Sequence, residues 1–188
     1  DVYFNSDETL LLSYAGNTAH LWDVETGMPI GEPMRHQAAL AGAEFDDDEE
    51  RIVTYTDAGT IRFWDAETSE PTGLVLRHQG VVNGFVFDDD GSRILTYSDD
   101  RTARLWDAET GEPIGRPMRH QAALGDAFFN SEETLILTYS ADQTVRVWDA
   151  ETGEAIGQPM RHQGAVTGAY FNEDESLILS YSEDQTIR

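Results

Sequence analysis

Residues 77–118 read RHQGVVNGFVFDDDGSRILTYSDDRTARLWDAETGEPIGRPM, and residues 119–160 read RHQAALGDAFFNSEETLILTYSADQTVRVWDAETGEAIGQPM. The two stretches have 42 residues each and are identical at 23 positions, including the run Trp-Asp-Ala-Glu-Thr-Gly-Glu. Self-similarity at a fixed spacing of about 20 to 50 residues is typical of tandem structural repeats. The sequence therefore predicts one structural motif repeated along the chain.

The same period runs through the whole chain. The only tryptophans, each followed by Asp and each 42 residues from the next, are Trp22, Trp64, Trp106 and Trp148. The tripeptide Arg-His-Gln recurs at the same spacing and begins at Arg35, Arg77, Arg119 and Arg161. These landmarks divide the chain into repeats at about 1–34, 35–76, 77–118 and 119–160, with a partial repeat at 161–188.

Each repeat has the composition of four short strands. Runs rich in β-branched, aliphatic and aromatic residues alternate with turns rich in Asp and Gly. The strands predicted in the third repeat are Val81–Phe87, Arg93–Ser98, Thr102–Asp107 and Pro113–Met118. Because Pro113 and Pro117 cannot donate ladder hydrogen bonds, we expect the fourth strand at an outer edge of the sheet. Each repeat is thus predicted to be a four-stranded antiparallel sheet.

The first three strands of a repeat are apolar on both faces, so a single sheet would leave two apolar surfaces in water. Neighbouring sheets must therefore cover each other, either in a linear solenoid or in a ring of blades. A four-stranded repeat of about 40 to 45 residues that ends its third strand in Trp-Asp favours the ring.

Over nearly its whole length the sequence resembles the WD-repeat β-propeller family. In the third repeat the resemblance rests on His78 before the first strand, Thr96 in the second, Asp100 in the following turn, and Trp106. It implies an all-β propeller with four-stranded antiparallel blades, in which such residues form a hydrogen-bonded structural tetrad. The implied tetrad residues are Ser13, Trp22, His36, Thr54, Trp64, His78, Thr96, Asp100, Trp106, His120, Thr138, Asp142, Trp148, His162, Ser180 and Asp184.

Two repeats depart from this pattern. The second has Ala58 where the turn Asp is expected, so its tetrad is incomplete. The first is one residue shorter in the same turn, which leaves only Ser13 and Trp22 assignable. Arg also stands before each tetrad His, where the family usually has Gly.

About four and a half repeats do not close a ring neatly. The first four residues align with residues 126–129, within a first strand, whereas Arg188 aligns with Arg146, just before a Trp. In closed propellers the two chain ends usually share a blade. We therefore expect part of a single propeller, an incomplete ring or arc that either the rest of a longer parent chain or another copy completes.

Composition excludes several classes of function. The chain has 36 acidic residues, 12 basic residues that are all Arg, and a net charge of -24, which opposes binding to nucleic acid. It lacks an uncharged segment long enough to span a membrane, and it has no cysteine for disulfides or thiolate sites. The acidity is the composition of salt-adapted proteins, but duplication of one lysine-free repeat would also explain it.

Ser or Thr, His and Asp could form a nucleophilic triad, but the pattern recurs in several repeats, each time with a Trp, which favours a structural role. The acidic runs at residues 46–50, 88–90, 131–133 and 173–175 lie in turns where calcium could bind, although the spacing of a known calcium loop is absent. Solvated turns are the simpler interpretation. No phosphate-binding loop or pair of metal-spaced histidines is present, so we expect no cofactor and no metal.

The resemblance implies a non-catalytic scaffold or sensor that binds a protein or peptide, as part of a larger, bacterial signalling protein. The acidic turns are expected on one face, and the Arg-His-Gln turns on the other. Candidate partner-binding residues are Arg35, Arg77, Arg119, Arg161, Asp57, Asp99, Arg101, Gln143 and Gln185. The alternative for the first four is that each Arg pairs with a carboxylate of a neighbouring blade.

Two other functions remain open from sequence. One is a purely structural or assembly array without a specific ligand, which the similarity of the repeats favours. The other is a propeller enzyme with a site at the central channel. The first-strand residues predicted to line that channel are small or apolar and favour binding over catalysis: Val82, Gly84, Ala123, Gly125, Ala165 and Thr167.

Overall fold

Each complete repeat folds into one four-stranded antiparallel sheet. The structure is a computed structural model that describes residues 1–188, and all of its regular elements are β-strands. The predicted all-β architecture of repeated four-stranded blades is confirmed. No helix occurs that is long and apolar enough to cross a membrane.

The strands are numbered in chain order, and each blade uses consecutive strands. Blade 1 consists of β1 (Val2–Phe4), β2 (Leu10–Ala15), β3 (Thr18–Asp23) and β4 (Pro29–Arg35). Blade 2 consists of β5 (Leu40–Phe45), β6 (Arg51–Thr56), β7 (Thr60–Asp65) and β8 (Pro71–Arg77). Blade 3 consists of β9 (Val82–Phe87), β10 (Arg93–Ser98), β11 (Thr102–Asp107) and β12 (Pro113–Arg119). Blade 4 consists of β13 (Leu124–Phe129), β14 (Leu135–Ser140), β15 (Thr144–Asp149) and β16 (Ala155–Arg161). Blade 5 has β17 (Val166–Phe171) and β18 (Ile178–Ser182).

In the third repeat, the predicted strand bounds agree with the structure to within one residue. The Pro-containing strand β12 lies at the edge of its sheet, next to β11, as predicted. Its register against β11 shifts between Ala103 and Leu105, because three residues of β12 lie opposite a single residue of β11. This bulge includes Pro117, so the missing N–H falls where the ladder is already interrupted.

The first and last sheets have no strand in common. β1 pairs with β2 inside blade 1, and β17 pairs with β18 inside blade 5. An isolated bridge between Tyr181 and Ile187 extends the last sheet. No sheet therefore joins strands from the two ends of the chain.

The chain divides into two compact units, residues 1–82 and 83–188. In the first unit, blades 1 and 2 share one apolar core. Leu12, Leu21 and Met34 of blade 1 are buried together with Ile52 and Trp64 of blade 2. The tryptophan of one repeat thus contributes to the core that it shares with the preceding repeat.

In the second unit, blade 4 contributes to two cores. Ile136 packs with Leu95 of blade 3, whereas its neighbour Leu137 packs with Val166 of blade 5. Successive strand residues point to opposite faces of a sheet, so a single strand can supply both cores. This is why the inner strands are apolar at consecutive positions.

The first residue of two acidic turns is buried rather than solvated. Asp46 and Asp88 are 5% and 4% exposed, and their Oδ2 atoms lie 2.6 Å from the Nε atoms of Arg51 and Arg93. Each Oδ1 atom also accepts a hydrogen bond from the backbone N–H of the same Arg. The expectation of solvated turns is therefore wrong at these two positions, because each carboxylate closes the turn and starts the next strand.

Candidate functional site

The tetrad residues of the fourth repeat form one continuous network in blade 4. Trp148 Nε1 donates to Thr138 Oγ1 over 2.8 Å, and Thr138 Oγ1 lies 2.8 Å from His120 Nε2. His120 Nδ1 lies 3.0 Å from Asp142 Oδ2. Because the carboxylate can only accept, we assign the imidazole proton to Nδ1, so that Nε2 accepts from the Thr138 hydroxyl. The network connects β14, β15 and the turn that precedes β13.

Asp142 also receives hydrogen bonds from its own turn and from the preceding one. Gln121 N donates to Oδ2 over 2.8 Å, while Thr144 N and Oγ1 donate to Oδ1 over 3.0 and 2.5 Å. Burial acts to raise the pKa of Asp142, but these hydrogen bonds and His120 outweigh it and hold the pKa below its ordinary value. Burial lowers the pKa of His120 despite the opposing effect of Asp142. At neutral pH the network therefore pairs a carboxylate with a neutral imidazole.

Blades 5 and 1 contain parts of the same network. In blade 5, His162 Nε2 lies 2.8 Å from Ser180 Oγ, and His162 Nδ1 lies 3.2 Å from Asp184 Oδ2. In blade 1, Trp22 Nε1 donates to Ser13 Oγ over 2.8 Å. The structure thus brings together every tetrad residue that the sequence assigned in these two blades.

In blade 3, Trp106 Nε1 donates to Thr96 Oγ1 over 2.8 Å. Asp100 Oδ1 accepts hydrogen bonds from Thr102 N and from Thr102 Oγ1, as Asp142 does from its own threonine. His78, which belongs to the first compact unit, is buried at 6% exposure.

Blade 2 keeps the histidine, the hydroxyl and the indole, but has Ala58 at the carboxylate position. His36 Nε2 lies 2.9 Å from Thr54 Oγ1, which accepts a hydrogen bond from Trp64 Nε1 over 2.7 Å. Beside His36 lies a cavity of about 290 Å³. Its lining includes His36, Gln37, Ala58, Thr60, Arg62 and Arg77.

Arg62, which lines this cavity, has a buried donor. Its Nε has no hydrogen-bond partner, whereas Arg104 and Arg146 at the same position of blades 3 and 4 donate from Nε to a threonine hydroxyl. Burial, together with the nearby charge of Arg62, lowers the pKa of His36 to about 4. The histidine is therefore neutral at neutral pH.

The hydroxyl, imidazole and carboxylate do not form an accessible nucleophilic site. Thr54, Thr96 and Thr138 are fully buried, and each hydroxyl accepts a hydrogen bond from an indole N–H. A nucleophile has to reach a substrate atom, which these hydroxyl groups cannot do in this arrangement. Instead, these hydrogen bonds cross-link neighbouring strands within a blade. No group of three or more His, Asp or Glu side chains converges to hold a metal ion.

The nine candidate partner-binding residues are exposed, and those of each blade lie at one end of it. Thr144 pairs with Arg161, which places the turn before β15 next to the end of β16. The exposed residues are Arg35, Arg77, Arg119, Arg161, Asp57, Asp99, Arg101, Gln143 and Gln185. None of the four arginines of the Arg-His-Gln turns forms an ion pair.

The predicted channel-lining residues fall into different environments. Val82 is 1% exposed and belongs to the core, and Gly84 is also buried. A Cβ added to Gly84 would lie 2.3 Å from the Tyr97 hydroxyl oxygen, and one added to Gly125 would lie 2.3 Å from the Tyr139 ring. These first-strand glycines thus make room for a tyrosine of the second strand. Residues 123 and 165 are half-buried, and residues 125 and 167 are exposed.

A further contact between blades escaped the sequence reasoning. Glu175 of blade 5 accepts hydrogen bonds from Ser131 N and Asn130 Nδ2 of blade 4, over 2.5 and 2.8 Å. Glu133 of blade 4 accepts from Asp89 N of blade 3 in the same way. Glutamate at a 42-residue spacing is visible in the sequence, but its partner lies about 44 residues away in another blade.

Antiparallel four-stranded blades with a buried His–hydroxyl–Trp network define a β-propeller architecture. The profile of the family described as WD domain, G-beta repeat, matches residues 70–107, 111–149 and 154–188. The chain belongs to this WD40 repeat family. A comparison with curated proteins finds no match.

Two computationally designed proteins of known structure are similar to this chain. The Ika8 protein is 25% identical with a TM-score of 0.77, and the match covers 99% of this chain and 56% of Ika8. The Ika4 protein is 27% identical with a TM-score of 0.68, and the match covers 81% of this chain and 91% of Ika4. The chain thus spans little more than half the length of Ika8.

Proposed function

We propose that the chain is a non-catalytic interaction platform that binds a protein or peptide through its Arg-His-Gln turns. WD40 repeats in general suggest a protein-interaction scaffold. In residues 83–188 the proposed contact residues are Asp99, Arg101, Arg119, Gln143, Arg161 and Gln185. In residues 1–82 they are Arg35, Asp57 and Arg77.

One observation carries this proposal: the four arginines are exposed and form no ion pair, on a chain with a net charge of -24. Most other basic side chains already have partners within the chain. Arg51 and Arg93, for example, form ion pairs with buried aspartates. Exposed guanidinium groups can form bidentate hydrogen bonds with carboxylates of a partner. We therefore expect acidic groups in the bound segment.

The experiment compares two arginines of one strand. Arg116 and Arg119 both lie in β12 and are both exposed, so Arg116→Glu and Arg119→Glu change the net charge equally. The labelled wild-type chain and both variants are tested on an array of acidic peptides and on the same peptides with amides in place of the carboxylates. We expect Arg119→Glu to lose binding to acidic peptides and Arg116→Glu to retain it. Equal loss in both variants would show unspecific charge attraction and refute the assignment.

We extend this proposal to the role of sensor or scaffold in a larger, bacterial signalling protein. The support is the strong similarity of the repeats, 23 identical positions of 42 between the third and fourth. Such arrays commonly accompany a catalytic partner domain, which is an argument by analogy of fold. The sequence of the parent gene on either side of these residues tests it directly, and a parent protein without a signalling domain would contradict it.

A second candidate function is assembly, and the exposure of apolar side chains in the first and last blades favours it. Leu179 and Ile187 of the last repeat are 39% and 70% exposed, whereas the equivalent Leu137 and Val145 are fully buried. Val2 in β1 is 58% exposed, although the equivalent Ala127 is fully buried. We propose that a further blade, from the parent chain or from another copy, covers these faces. Size-exclusion chromatography with light scattering tests self-association, and a well-folded monomer would argue against completion by a second copy.

A further inference from the structure

The cavity of blade 2 lies where the other blades hold a carboxylate. Asp142 and Asp184 occupy this position in blades 4 and 5, and Ala58 occupies it in blade 2. The turn around Ala58 has not collapsed: Gly59 N donates to Thr56 O over 3.0 Å, as Gln143 N does to the equivalent carbonyl in blade 4. Blade 2 therefore keeps the backbone of the site and lacks only its carboxylate.

Blade 4 shows which donors a carboxylate meets at this position. Asp142 accepts from the imidazole Nδ1 of His120, from the backbone N of Gln121, and from N and Oγ1 of Thr144. In blade 5, Asp184 has the same arrangement of partners, including Gln163 N and Thr186. The same set of donors therefore recurs at this position in two blades.

The residues that carry the equivalent donor groups, His36, Gln37 and Thr60, all line the cavity of about 290 Å³ in blade 2. The backbone N of Thr60 donates to Thr56 Oγ1 over 3.1 Å, which leaves the Thr60 hydroxyl as the threonine donor available to a ligand. Thr60 Oγ1 accepts a hydrogen bond from the Arg77 guanidinium over 3.3 Å, whereas the equivalent Thr144 Oγ1 donates to Asp142. Without a carboxylate to orient this threonine, Arg62 Nε has no acceptor, although Arg146 Nε donates to the threonine of blade 4.

The charge around the cavity favours an anion. Arg62 and Arg77 line it, and no carboxylate side chain does. A buried donor without a partner costs free energy that an incoming acceptor recovers, and charge-assisted hydrogen bonds are stronger than neutral ones. The volume lies near the lower limit of roughly 300 Å³ for small-molecule pockets, which restricts the ligand to a small group.

We infer that this cavity is a binding site for a carboxylate group supplied from outside the chain, whose oxygens take the positions of the Asp142 carboxylate oxygens. The ligand is either a small free carboxylate such as acetate or the C-terminal carboxylate of a peptide. It accepts hydrogen bonds from His36, Gln37 N and the Thr60 hydroxyl. By orienting that hydroxyl it lets Thr60 Oγ1 accept from Arg62 Nε, as Thr144 Oγ1 accepts from Arg146 Nε in blade 4. The inference is separate from the proposed platform, although the cavity includes the contact residue Arg77 and lies beside the first Arg-His-Gln turn, to which His36 and Gln37 belong.

The test is a titration of the intact chain with sodium acetate, at constant ionic strength maintained with sodium chloride, followed through the backbone amide of Gln37 by NMR. We expect a saturable shift of this amide. Ala58→Asp supplies the carboxylate from the chain itself and should weaken acetate binding at least tenfold. Ala141→Asp adds the same charge at an exposed turn residue of blade 4, next to Asp142, and should bind as the wild type does.

Two further measurements distinguish a free carboxylate from a peptide C-terminus and keep the test decisive if one variant does not fold. A short acetylated peptide with a free C-terminus is compared with its amide, and tighter binding of the acid than of acetate assigns the site to peptide termini. Ala58→Val places two methyl groups where the carboxylate would lie without adding charge, so it should abolish the shift even if Ala58→Asp does not fold. The inference is overturned if the wild type shows no saturable shift, if chloride alone produces the same shift, or if acetate binds the Ala58→Val variant equally well.

Discussion

Replacement of Asp142 by alanine tests whether the tetrad stabilises a blade. The carboxylate accepts four hydrogen bonds, and those from His120 Nδ1 and Thr144 Oγ1 come from buried residues. A buried donor left without an acceptor costs about 1–3 kcal/mol. With two such donors, and with the loss limited by solvent reaching Gln121, we expect Asp142→Ala to lower the free energy of unfolding by about 3 kcal/mol.

The assay is urea unfolding followed by tryptophan fluorescence, together with thermal unfolding. A loss of about 3 kcal/mol corresponds to a decrease of roughly 6–12 °C in Tm for a chain of this length. Glu151→Ala is the matched control, because it removes one carboxylate from an exposed turn of the same blade. We expect this control to stay within about 0.5 kcal/mol of the wild type. If Asp142→Ala behaves like the control, the network has no part in stability and the reasoning is refuted.

Four further predictions concern stability. Ala58→Asp should raise the free energy of unfolding by about 1–2 kcal/mol, less than Asp142→Ala removes, because the new carboxylate is desolvated; a decrease in the same assay would contradict this. Because burial lowers the pKa of His36 to about 4 from the ordinary 6.5, the unfolded chain binds a proton between these values that the folded chain does not. Stability should therefore fall as pH falls from 6.5 to 4, by at most about 3 kcal/mol, and His36→Asn should flatten this slope in urea titrations at several pH values. Gly153→Ala should cost more than about 2 kcal/mol, because its Cβ would lie 2.1 Å from a carbonyl oxygen of blade 3, whereas Gly157→Ala, with similar φ and open space, should cost about 1 kcal/mol; equal losses would show that the close approach is irrelevant. If the acidity reflects salt adaptation, Tm should rise in molar potassium chloride, and a Tm that does not rise would argue against it.

Some of the functional assignments could be made from the sequence, and others required the structure. The sequence identified the tetrad residues of blade 4, because their chemical types recur at fixed spacing, and the structure brings all four within hydrogen-bond distance. It also marked Ala58 as a departure. It could not show that this departure leaves a lined cavity with an unpartnered Arg62 Nε, since a collapsed turn would have fitted the same sequence.

Strand positions, repeat length and the edge position of the Pro-containing strand follow from the sequence by itself. They depend on local properties, namely β-branched runs, turn residues and the missing N–H of Pro117, that act within one repeat. Burial and pairing between blades were decided by the tertiary structure alone. Asp88 is buried against Arg93, and Glu175 reaches Ser131 in the preceding blade, because packing brings together groups that local sequence does not relate. The physical reason is that a carboxylate in a turn has the same local preference whether it faces water or a neighbouring blade.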